Sequence, residues 1–579
     1  MRRRNILVAL LALPVATSVL VFGGPTAGAG PAGAAAQHSA DFTVLLEPNA
    51  SRADALAAVT AAGGTVTAEN AALGTLTVRA PSTGFVQAVA ASPAIFGAAR
   101  TRPIGRIPQL EAAAAKKADK AVEEENAGRA GTDKKKPGAA DVGMDPLDAQ
   151  LWGLQMVRSH LAREHQPGDR GVMVGVLDSG VDATHPDIAP NIDLGLSRNF
   201  AVDIPYDETG AEVDGPCEFA GCVDPAGYDD DGHGTHVAGT IAAAANGFGV
   251  SGVAPRVTLV SIRGGQDSGF VFLQPVLDAL AYGADIGLDV INMSFYIDPW
   301  LYNCTANPAD SPEAQLEQRT TIAAVSRALD YAHSRGVTLV GSLGNNHEDL
   351  GNPRTDLSSP DFPSGAAYPR VIDNDTCLDL PVEGNHVIGV SALGPSSRKA
   401  DYSNYGTERI SVSAPGGWFR DGLGTPTYRT NGNMILSTHP RNVALAHGWI
   451  DADGNVTPAG EAAAVVKWCS AAGQCAYYRY LQGTSMASPH ASGVAALIVS
   501  QYGKRDRRHG GLTMDPGKVE RVLIETAFER PCPVPRLFSY QDVGRPAEFD
   551  ALCEGGLSFN GFYGSGVVDA FAAVTRGDG

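Results

Sequence analysis

The chain has 579 residues, of which 44% are hydrophobic and 18% charged, a balance typical of globular proteins and a length that allows more than one domain. Its formal net charge of -19 at pH 7 argues against general nucleic-acid binding, which requires a basic surface.

The first 36 residues have the pattern of a secretory signal peptide. Three arginines at positions 2–4 precede an apolar run over residues 6–22, and small residues of the A-x-A type follow. An uncleaved membrane anchor is the alternative, but Pro14 interrupts the run, which is short for a bilayer span. We therefore expect a secreted, extracellular protein with no membrane contact after the signal is removed.

Residues 41–105 are predicted to form a small ferredoxin-like α+β domain. Apolar residues recur with strand or helix spacing in six successive segments, in the order β-α-β-β-α-β. The strands are expected at 42–47, 64–69, 75–81 and 94–100, and the helices at 51–63 and 84–92.

Residues 106–144 are predicted to be a charged, low-complexity linker. The stretch 110–140 is rich in Ala, Lys and Glu and has almost no larger apolar residue, so it cannot bury a core. Its basic run at 134–136 is a candidate cleavage target, although such runs are usually only solvated.

Residues 145–579 are predicted to form an α/β domain. Apolar strands alternate with helices, which indicates a mostly parallel, twisted sheet with helices on both faces. In such a sheet the functional groups gather at the carboxyl ends of the strands. The strands are expected at 171–177, 257–263, 289–295, 337–344 and 386–393, with helices at 271–286 and 313–335.

Three segments of this domain end on groups that together support nucleophilic catalysis. Asp178 follows the apolar strand in VMVGVLDSG, His233 opens a helix rich in Ala and Gly, and Ser485 begins a helix in LQGTSMASPH. Each residue alone has an ordinary alternative role, as a turn, cap or packing residue. A serine nucleophile, however, needs an imidazole base, and a carboxylate orients that base. Asn345, in VGSLGNN, and the Ser485 N–H are candidate donors to the oxyanion.

These motifs resemble those of the subtilases, the subtilisin-like serine proteases of peptidase family S8. The order Asp…His…Ser in DSGVDATHPD, HGTHVAG and GTSMASPH matches that family, as do GVSGVAP, VINMS and GSGVVDAFAAV, so the resemblance covers roughly 145–579. It implies a serine endopeptidase (EC 3.4.21) that acts on polypeptides through a serine acyl-enzyme. Residues 41–105 resemble the family's inhibitory propeptide, so the resemblance also implies a zymogen that cleaves itself between about 105 and 145.

The resemblance further implies a structural Ca²⁺ site, with no cofactor for catalysis. Carboxylate, amide and carbonyl oxygens suit this ion. The alternative is an empty loop in which Asp187 is only a turn residue. The implied ligands are the side chains of Asp187 and Asn246 and the carbonyls of Ala244, Phe248 and Val250, with Gln150 as a doubtful addition.

The substrate cleft implied by the resemblance has an unusual residue. Tyr296 puts bulk where the family usually has glycine, and long inserts occur at 296–312, 351–383 and 417–480. An extended substrate would pair with strands on both sides of the cleft. The candidate substrate-binding residues are Ser268, Gly269, Ser294, Phe295, Tyr296 and Gly344.

Eight cysteines, all at or after Cys217, predict disulfides in an exported protein. Eight cysteines allow about 105 connectivities, so the pairing stays a guess based on short spacing. That guess pairs Cys217 with Cys222, Cys469 with Cys475 and Cys532 with Cys553, and leaves Cys304 with Cys377.

Two other functions remain open. One is a non-catalytic secreted binding protein on a protease fold, although every triad position is filled; the other is a narrow-specificity processing protease. An esterase of the α/β-hydrolase type is excluded, because Ser485 lies in GTSMA rather than GxSxG and comes last of the three groups. We expect polypeptide substrates, the chain's own propeptide as inhibitor, no nucleic-acid partner and a monomer.

Overall fold

The computed structural model describes residues 39–101, 120–125, 145–207, 210–363 and 365–576. The predicted signal peptide and most of the predicted linker lie outside these ranges. Within them, no helix is long and apolar enough to cross a membrane.

The N-terminal domain has the predicted order of elements. Its four strands form one antiparallel sheet in the order β2-β3-β1-β4. Both helices bury apolar side chains against this sheet, where Phe42 packs on Phe85 with ring centroids 4.7 Å apart. The elements are β1 (Ser39–Leu46), α1 (Arg52–Ala61), β2 (Thr65–Asn70), β3 (Thr75–Pro81), α2 (Phe85–Ala90) and β4 (Ile95–Arg100).

A seven-stranded sheet forms the centre of the second domain, and all its neighbouring strands pair in parallel. This confirms the predicted fold class. The longer strands are almost entirely buried, because helices cover both faces and leave few positions for polar side chains. In spatial order the strands are β15 (Val412–Pro415), β14 (Val387–Leu393), β10 (Thr338–Ser342), β8 (Val290–Met293), β5 (Met173–Leu177), β7 (Thr258–Arg263) and β6 (Arg198–Asn199).

The two helices predicted at 271–286 and 313–335 are present as α6 (Leu273–Ile286) and α7 (Pro312–Ser334). The N-terminal sheet contacts the longest helix, α7. Arg100 of β4 pairs with Glu313 at 2.7 Å, and Arg327 donates to the carbonyl of Leu46. The helices are α3 (Trp152–Met156), α4 (Ser159–Ala162), α5 (His233–Ala242), α6 (Leu273–Ile286), α7 (Pro312–Ser334), α8 (Arg441–Ala446), α9 (Pro458–Ala462), α10 (Thr484–Tyr502), α11 (Pro516–Thr526) and α12 (Ala570–Thr575).

The inserts carry small sheets of their own. The largest insert forms an antiparallel sheet in the order β16-β18-β17, and the others form two-stranded pairs. The strands in the inserts are β9 (Asn303–Cys304), β11 (Thr355–Asp356), β12 (Arg370–Val371), β13 (Cys377–Leu378), β16 (Ile435–His439), β17 (Val465–Cys469) and β18 (Cys475–Leu481). Outside the inserts, β19 (Lys504–Arg505) pairs with β20 (Leu512–Thr513) and β21 (Leu537–Phe538) with β22 (Ala551–Leu552).

The eight cysteines form the four disulfides that their spacing suggested. The Cys304–Cys377 bridge joins β9 to β13 and ties two inserts together. Cys469–Cys475 closes the hairpin between β17 and β18.

A proline interrupts the hydrogen bonding of α10. The helix begins at Thr484, and Pro489 lies in its second turn rather than in the first turn, where amides lack partners. A proline there leaves the carbonyl four residues earlier, that of Ser485, without its helical partner. Ser294 Oγ donates to this carbonyl at 3.3 Å, so a side chain of the neighbouring strand end replaces the lost N–H.

Candidate active site

Four residues singled out from the sequence lie around one cavity at the carboxyl ends of the central strands. Asp178 directly follows β5, His233 is the first residue of α5, Ser485 is the second residue of α10, and Asn345 follows β10 by three residues. All four line a cavity of about 310 Å³. The fold therefore brings a carboxylate, an imidazole, a hydroxyl and an amide to one place.

Asp178 and His233 are in direct contact. His233 Nδ1 donates to Asp178 Oδ1 at 2.7 Å, and the carboxylate is almost completely buried. The start of α5 can pack this closely against the segment after β5 only with glycine at position 234, because a Cβ there would lie 2.0 Å from the carbonyl oxygen of Gly180. The contact fixes the tautomer of the imidazole and turns Nε2 away from the carboxylate.

The other imidazole nitrogen faces a residue that the sequence analysis had assigned to the linker. His233 Nε2 lies 3.4 Å from Oε1 of Glu123, while Ser485 Oγ donates to the carbonyl of Ser294 at 3.3 Å. In this arrangement the imidazole is engaged by Asp178 and Glu123 rather than by the hydroxyl. The serine and its candidate base thus share a cavity without being hydrogen-bonded to each other.

The two carboxylates control the charge of the imidazole. Burial lowers the pKa of His233, but the charges of Asp178 and Glu123 outweigh it and hold that pKa well above the usual range. The ring is therefore protonated at neutral pH in this arrangement. A protonated imidazole cannot take a proton from a serine hydroxyl.

Asn345 is oriented as an oxyanion donor would be. Its Oδ1 accepts hydrogen bonds from the N–H and the hydroxyl of Thr484, at 2.9 and 3.0 Å. These contacts leave Nδ2 to donate, and Nδ2 lies 3.6 Å from the position that a Cβ would take on Gly483. Nδ2 thus lies close to the backbone that leads to Ser485.

All six candidate substrate-binding residues line the same cavity. Ser268 is held in place by Asp214, which accepts from its N–H and its hydroxyl, and the Tyr296 hydroxyl donates to Asp361 at 2.7 Å. Sequence reasoning flagged the inserts but not the individual residues that complete the wall. These are Phe270, Leu301, Asp361 and Phe362.

The side chains proposed as calcium ligands take part in hydrogen bonds in this structure. Asp187 Oδ1 is buried with no hydrogen-bond partner among the described residues, but Oδ2 accepts from the Val250 N–H and the Tyr478 hydroxyl. Asn246 Oδ1 accepts from the N–H of Phe248. The loop thus turns N–H donors toward the side-chain oxygens, whereas calcium requires six to eight oxygen ligands.

Further contacts agree with this assessment. Asp145 accepts from two N–H groups of the same loop, those of Asn246 and Gly247, and Gln150 accepts from the Tyr480 hydroxyl. Calcium binding stays a prediction, to be checked by calorimetric titration.

Residues 120–125 are the part of the site that sequence reasoning missed. They lie against the cavity, where Lys120 pairs with Asp231 at 2.6 Å and the carbonyl of Glu123 accepts from the N–H of Gln482 at 3.2 Å. Their composition gave little signal, because Val122 is the one larger apolar residue in a stretch rich in Ala, Lys and Glu, and such a stretch is typical of a solvated linker.

Comparison with known proteins places the chain in a family. The family model described as Subtilase family matches residues 169–566. Fervidolysin of Fervidobacterium pennivorans is 27% identical over 408 residues, which cover 68% of this chain and 43% of fervidolysin. Subtilisin DY of Bacillus licheniformis is 26% identical over 353 residues, which cover 61% of this chain and 85% of that protein. The chain thus spans less than half the length of fervidolysin.

Solved structures show the same fold. The epidermin leader peptide processing serine protease of Staphylococcus aureus superposes with a TM-score of 0.58 at 19% identity, covering 93% of this chain and 99% of that one. Fervidolysin superposes with a TM-score of 0.51 at 22% identity, covering 93% and 61%. With a family model that matches well over half of its residues, the chain belongs to the subtilase family.

Proposed function

We propose that the protein is a secreted serine endopeptidase that hydrolyses peptide bonds through an acyl-enzyme on Ser485. The observation that carries the proposal is the 2.7 Å contact between Asp178 and His233 in the cavity that Ser485 also lines. A buried carboxylate that orients an imidazole next to a serine is the arrangement needed to activate a hydroxyl.

In the proposed reaction, Ser485 Oγ attacks the carbonyl carbon of the substrate while His233 Nε2 takes the hydroxyl proton. Asn345 Nδ2 and the N–H of Ser485 stabilise the negative oxygen of the tetrahedral intermediate. The C–N bond then breaks and His233 gives its proton to the leaving amine. A water molecule, deprotonated by His233, hydrolyses the ester, and Ser485 recovers its proton.

The proposal includes synthesis as an inactive precursor that cleaves itself between about 105 and 145. Two contacts support it: Glu123 occupies His233 Nε2, and the N-terminal domain is anchored to α7 through the Arg100–Glu313 pair. When residues 120–125 leave the cavity, transiently for self-cleavage and permanently after it, His233 loses one of its two carboxylates. The base then becomes available to Ser485. Export rests on the signal-like residues 1–36.

A narrow-specificity processing protease is the second candidate. It is favoured by the insert residues Leu301 and Phe362, which bring bulk into the cavity beside Tyr296. A peptide-library cleavage profile separates the two: a general protease cleaves many sequences, whereas a processing enzyme cleaves few.

The proposed function is tested with a fluorophosphonate probe on the purified, matured protein, followed by peptide mapping. We expect the label on Ser485 and its loss in His233→Ala, with His160→Ala as a matched histidine control. If folded protein without its N-terminal region takes up no label, Ser485 is a packing residue. The non-catalytic binding protein is then the better interpretation.

A further inference from the structure

Three arginines next to the candidate active site hold the acidic segment Glu123-Glu124-Glu125. Arg479 pairs with Glu124 at 3.1 Å, Arg420 donates to Glu125 through Nε at 2.7 Å, and Arg545 pairs with the other oxygen of Glu125 at 2.7 Å. The guanidinium groups belong to distant parts of the chain, and the three side chains are no more than 16% exposed. We refer to Arg420, Arg479 and Arg545 as the arginine cluster.

The backbone of the acidic segment is bound as well. Gln482, three residues before Ser485, donates its N–H to the carbonyl of Glu123 and its side-chain amide to the carbonyl of Val122, at 3.2 and 2.9 Å. The same amide also reaches Glu125 at 3.2 Å. The segment is therefore held at the nucleophile by backbone and side-chain contacts, in the manner of a bound peptide.

The position of Glu123 identifies the side of the scissile bond on which the arginine cluster lies. In the proposed reaction the leaving amine receives its proton from His233 Nε2, so the amine must come within hydrogen-bond distance of that atom. Glu123 Oε1 occupies this place at 3.4 Å. The neighbouring residues Glu124 and Glu125, and the arginines that bind them, therefore lie close to the place that the leaving amine takes.

Departure of the acidic segment leaves the arginine cluster with uncompensated positive charge. Asp401 contacts Arg545 at 2.6 Å and Arg420 at 3.9 Å, so these two arginines share one carboxylate besides Glu125. Arg479 stacks 4.2 Å above the ring of Trp449, and among the described residues Glu124 is the only carboxylate that contacts it. Partly buried guanidinium groups of this kind bind carboxylates strongly and with defined geometry.

We propose that the arginine cluster is a substrate-binding site that selects polypeptides with an acidic residue within the first few positions on the leaving-group side. The inference rests on the proposed function, because it requires that residues 120–125 leave the cleft and that Ser485 cleaves a substrate there. The precursor's own Glu124 and Glu125 occupy the site until then.

The test compares pairs of internally quenched peptides that differ only by Glu or Gln. The pairs are built on a sequence that the matured enzyme cleaves, with the exchange at each of the first three positions after the scissile bond. We expect kcat/KM to be about tenfold higher for Glu at one of these positions, as for a charge-assisted hydrogen bond. The ratio of kcat/KM for the Glu peptide to kcat/KM for the Gln peptide should fall toward one in Arg420→Gln and in Arg545→Gln. It should be intermediate in Arg545→Lys, and it should not change in the exposed control Arg521→Gln.

The outcomes separate this inference from the proposed function. If the enzyme takes up the fluorophosphonate label and cleaves both peptides of every pair equally, the arginine cluster serves only to hold the precursor segment, and the inference is wrong. If neither peptide is cleaved and no label is taken up, the proposed function fails instead.

A measurement on the unmodified enzyme avoids any folding defect of the variants. Two short peptides are compared as inhibitors of the same cleavage. Each has the sequence that follows the scissile bond, and they differ only by Glu or Gln at the position under test. We expect the Glu peptide to inhibit at about tenfold lower concentration. Equal inhibition by the two peptides would overturn the inference.

Discussion

Glu123 lies against His233 on the imidazole nitrogen opposite to Asp178. Its Oε1 is 3.4 Å from Nε2, whereas Asp178 Oδ1 is 2.7 Å from Nδ1, so the ring is held between two carboxylates. Both carboxylates favour the protonated ring, and Nε2 is the atom that a serine hydroxyl needs as its acceptor. Glu123 thus counteracts the base in two ways: it keeps the ring protonated, and it accepts from the Nε2 N–H that would otherwise face Ser485.

Replacing Glu123 by Gln should make the uncleaved precursor more reactive. The pKa of His233 falls when one of the two carboxylates that raise it is removed, so a larger fraction of the imidazole is neutral near pH 7. We expect Glu123→Gln precursor to take up a fluorophosphonate probe faster than the parent, because more of its imidazole is available as a base. The exposed Glu164→Gln serves as control, and equal labelling rates in all three proteins would contradict the role of Glu123.

Replacing Ser485 by Ala should abolish both peptide hydrolysis and self-cleavage. We expect kcat to fall about 10⁶-fold, a magnitude known from a related subtilisin rather than obtained from this structure. The variant should accumulate with residues 41–105 still attached, as seen by mass spectrometry of protein made without other proteases. The matched control is Ser500→Ala, at the far end of the same helix. Normal maturation of Ser485→Ala would show that another protease removes the N-terminal region.

Replacing Asn345 by Ala should reduce kcat much more than it raises KM. The donor acts on charge that develops only in the transition state, and its removal costs about 10²–10³ in rate, again a value inherited from a related subtilisin. Thermal unfolding is measured alongside, because Asn345 also accepts two hydrogen bonds from Thr484. Asn352→Ala, at an exposed position nearby, should leave kcat unchanged. A loss confined to KM would assign Asn345 to substrate binding instead.

The sequence predicted the sheet and the convergence of Asp178, His233 and Ser485, because both depend on local patterns. A continuous apolar strand is buried on both faces, and a polar residue that directly follows it must lie at the sheet's carboxyl edge. The resemblance to the subtilases then implied that His233 and Ser485 join Asp178 there.

The features that sequence reasoning missed depend on contacts between distant residues. Glu125 reaches its place through Arg420 and Arg545, which are 295 and 420 residues away, and its own neighbours contain no apolar pattern. The predicted calcium ligand Asp187 is engaged by Tyr478, 291 residues later in the largest insert. Because the partners are so far apart in the sequence, neither pairing can be recognised from a short stretch of neighbouring residues.

The Cys304–Cys377 bridge should contribute more to stability than the Cys469–Cys475 bridge. The first closes a loop of 73 residues and the second a loop of 6, and a longer loop removes more entropy from the unfolded chain. We expect double replacement by alanine to lower the free energy of unfolding by about 4 kcal/mol for the first pair and about 2 kcal/mol for the second. Urea unfolding in a Ser485→Ala background, which prevents self-digestion, measures both. Equal losses would contradict the loop-entropy argument.

Replacing Asp289 by Asn should stabilise the protein at alkaline pH. Burial, with a smaller contribution from the charge of Asp506, raises the pKa of Asp289 to about 8, while its Oδ2 accepts from the N–H of Met173 at 2.9 Å. The folded state therefore binds this proton more tightly than the unfolded state, whose pKa is near 3.8. The contribution of Asp289 to stability thus falls as pH rises from about 4 to about 8 and stays low above that range.

Asparagine keeps an oxygen for the Met173 N–H but carries no charge to desolvate. We expect Asp289→Asn to gain stability relative to the parent between pH 5 and pH 8.5, by up to a few kcal/mol at about 1.4 kcal/mol per pKa unit. The measurement is the urea midpoint at the two pH values in the Ser485→Ala background, with the exposed Asp453→Asn as control. A difference between variant and parent that is the same at both pH values would mean that Asp289 is ionised in the folded protein throughout this range.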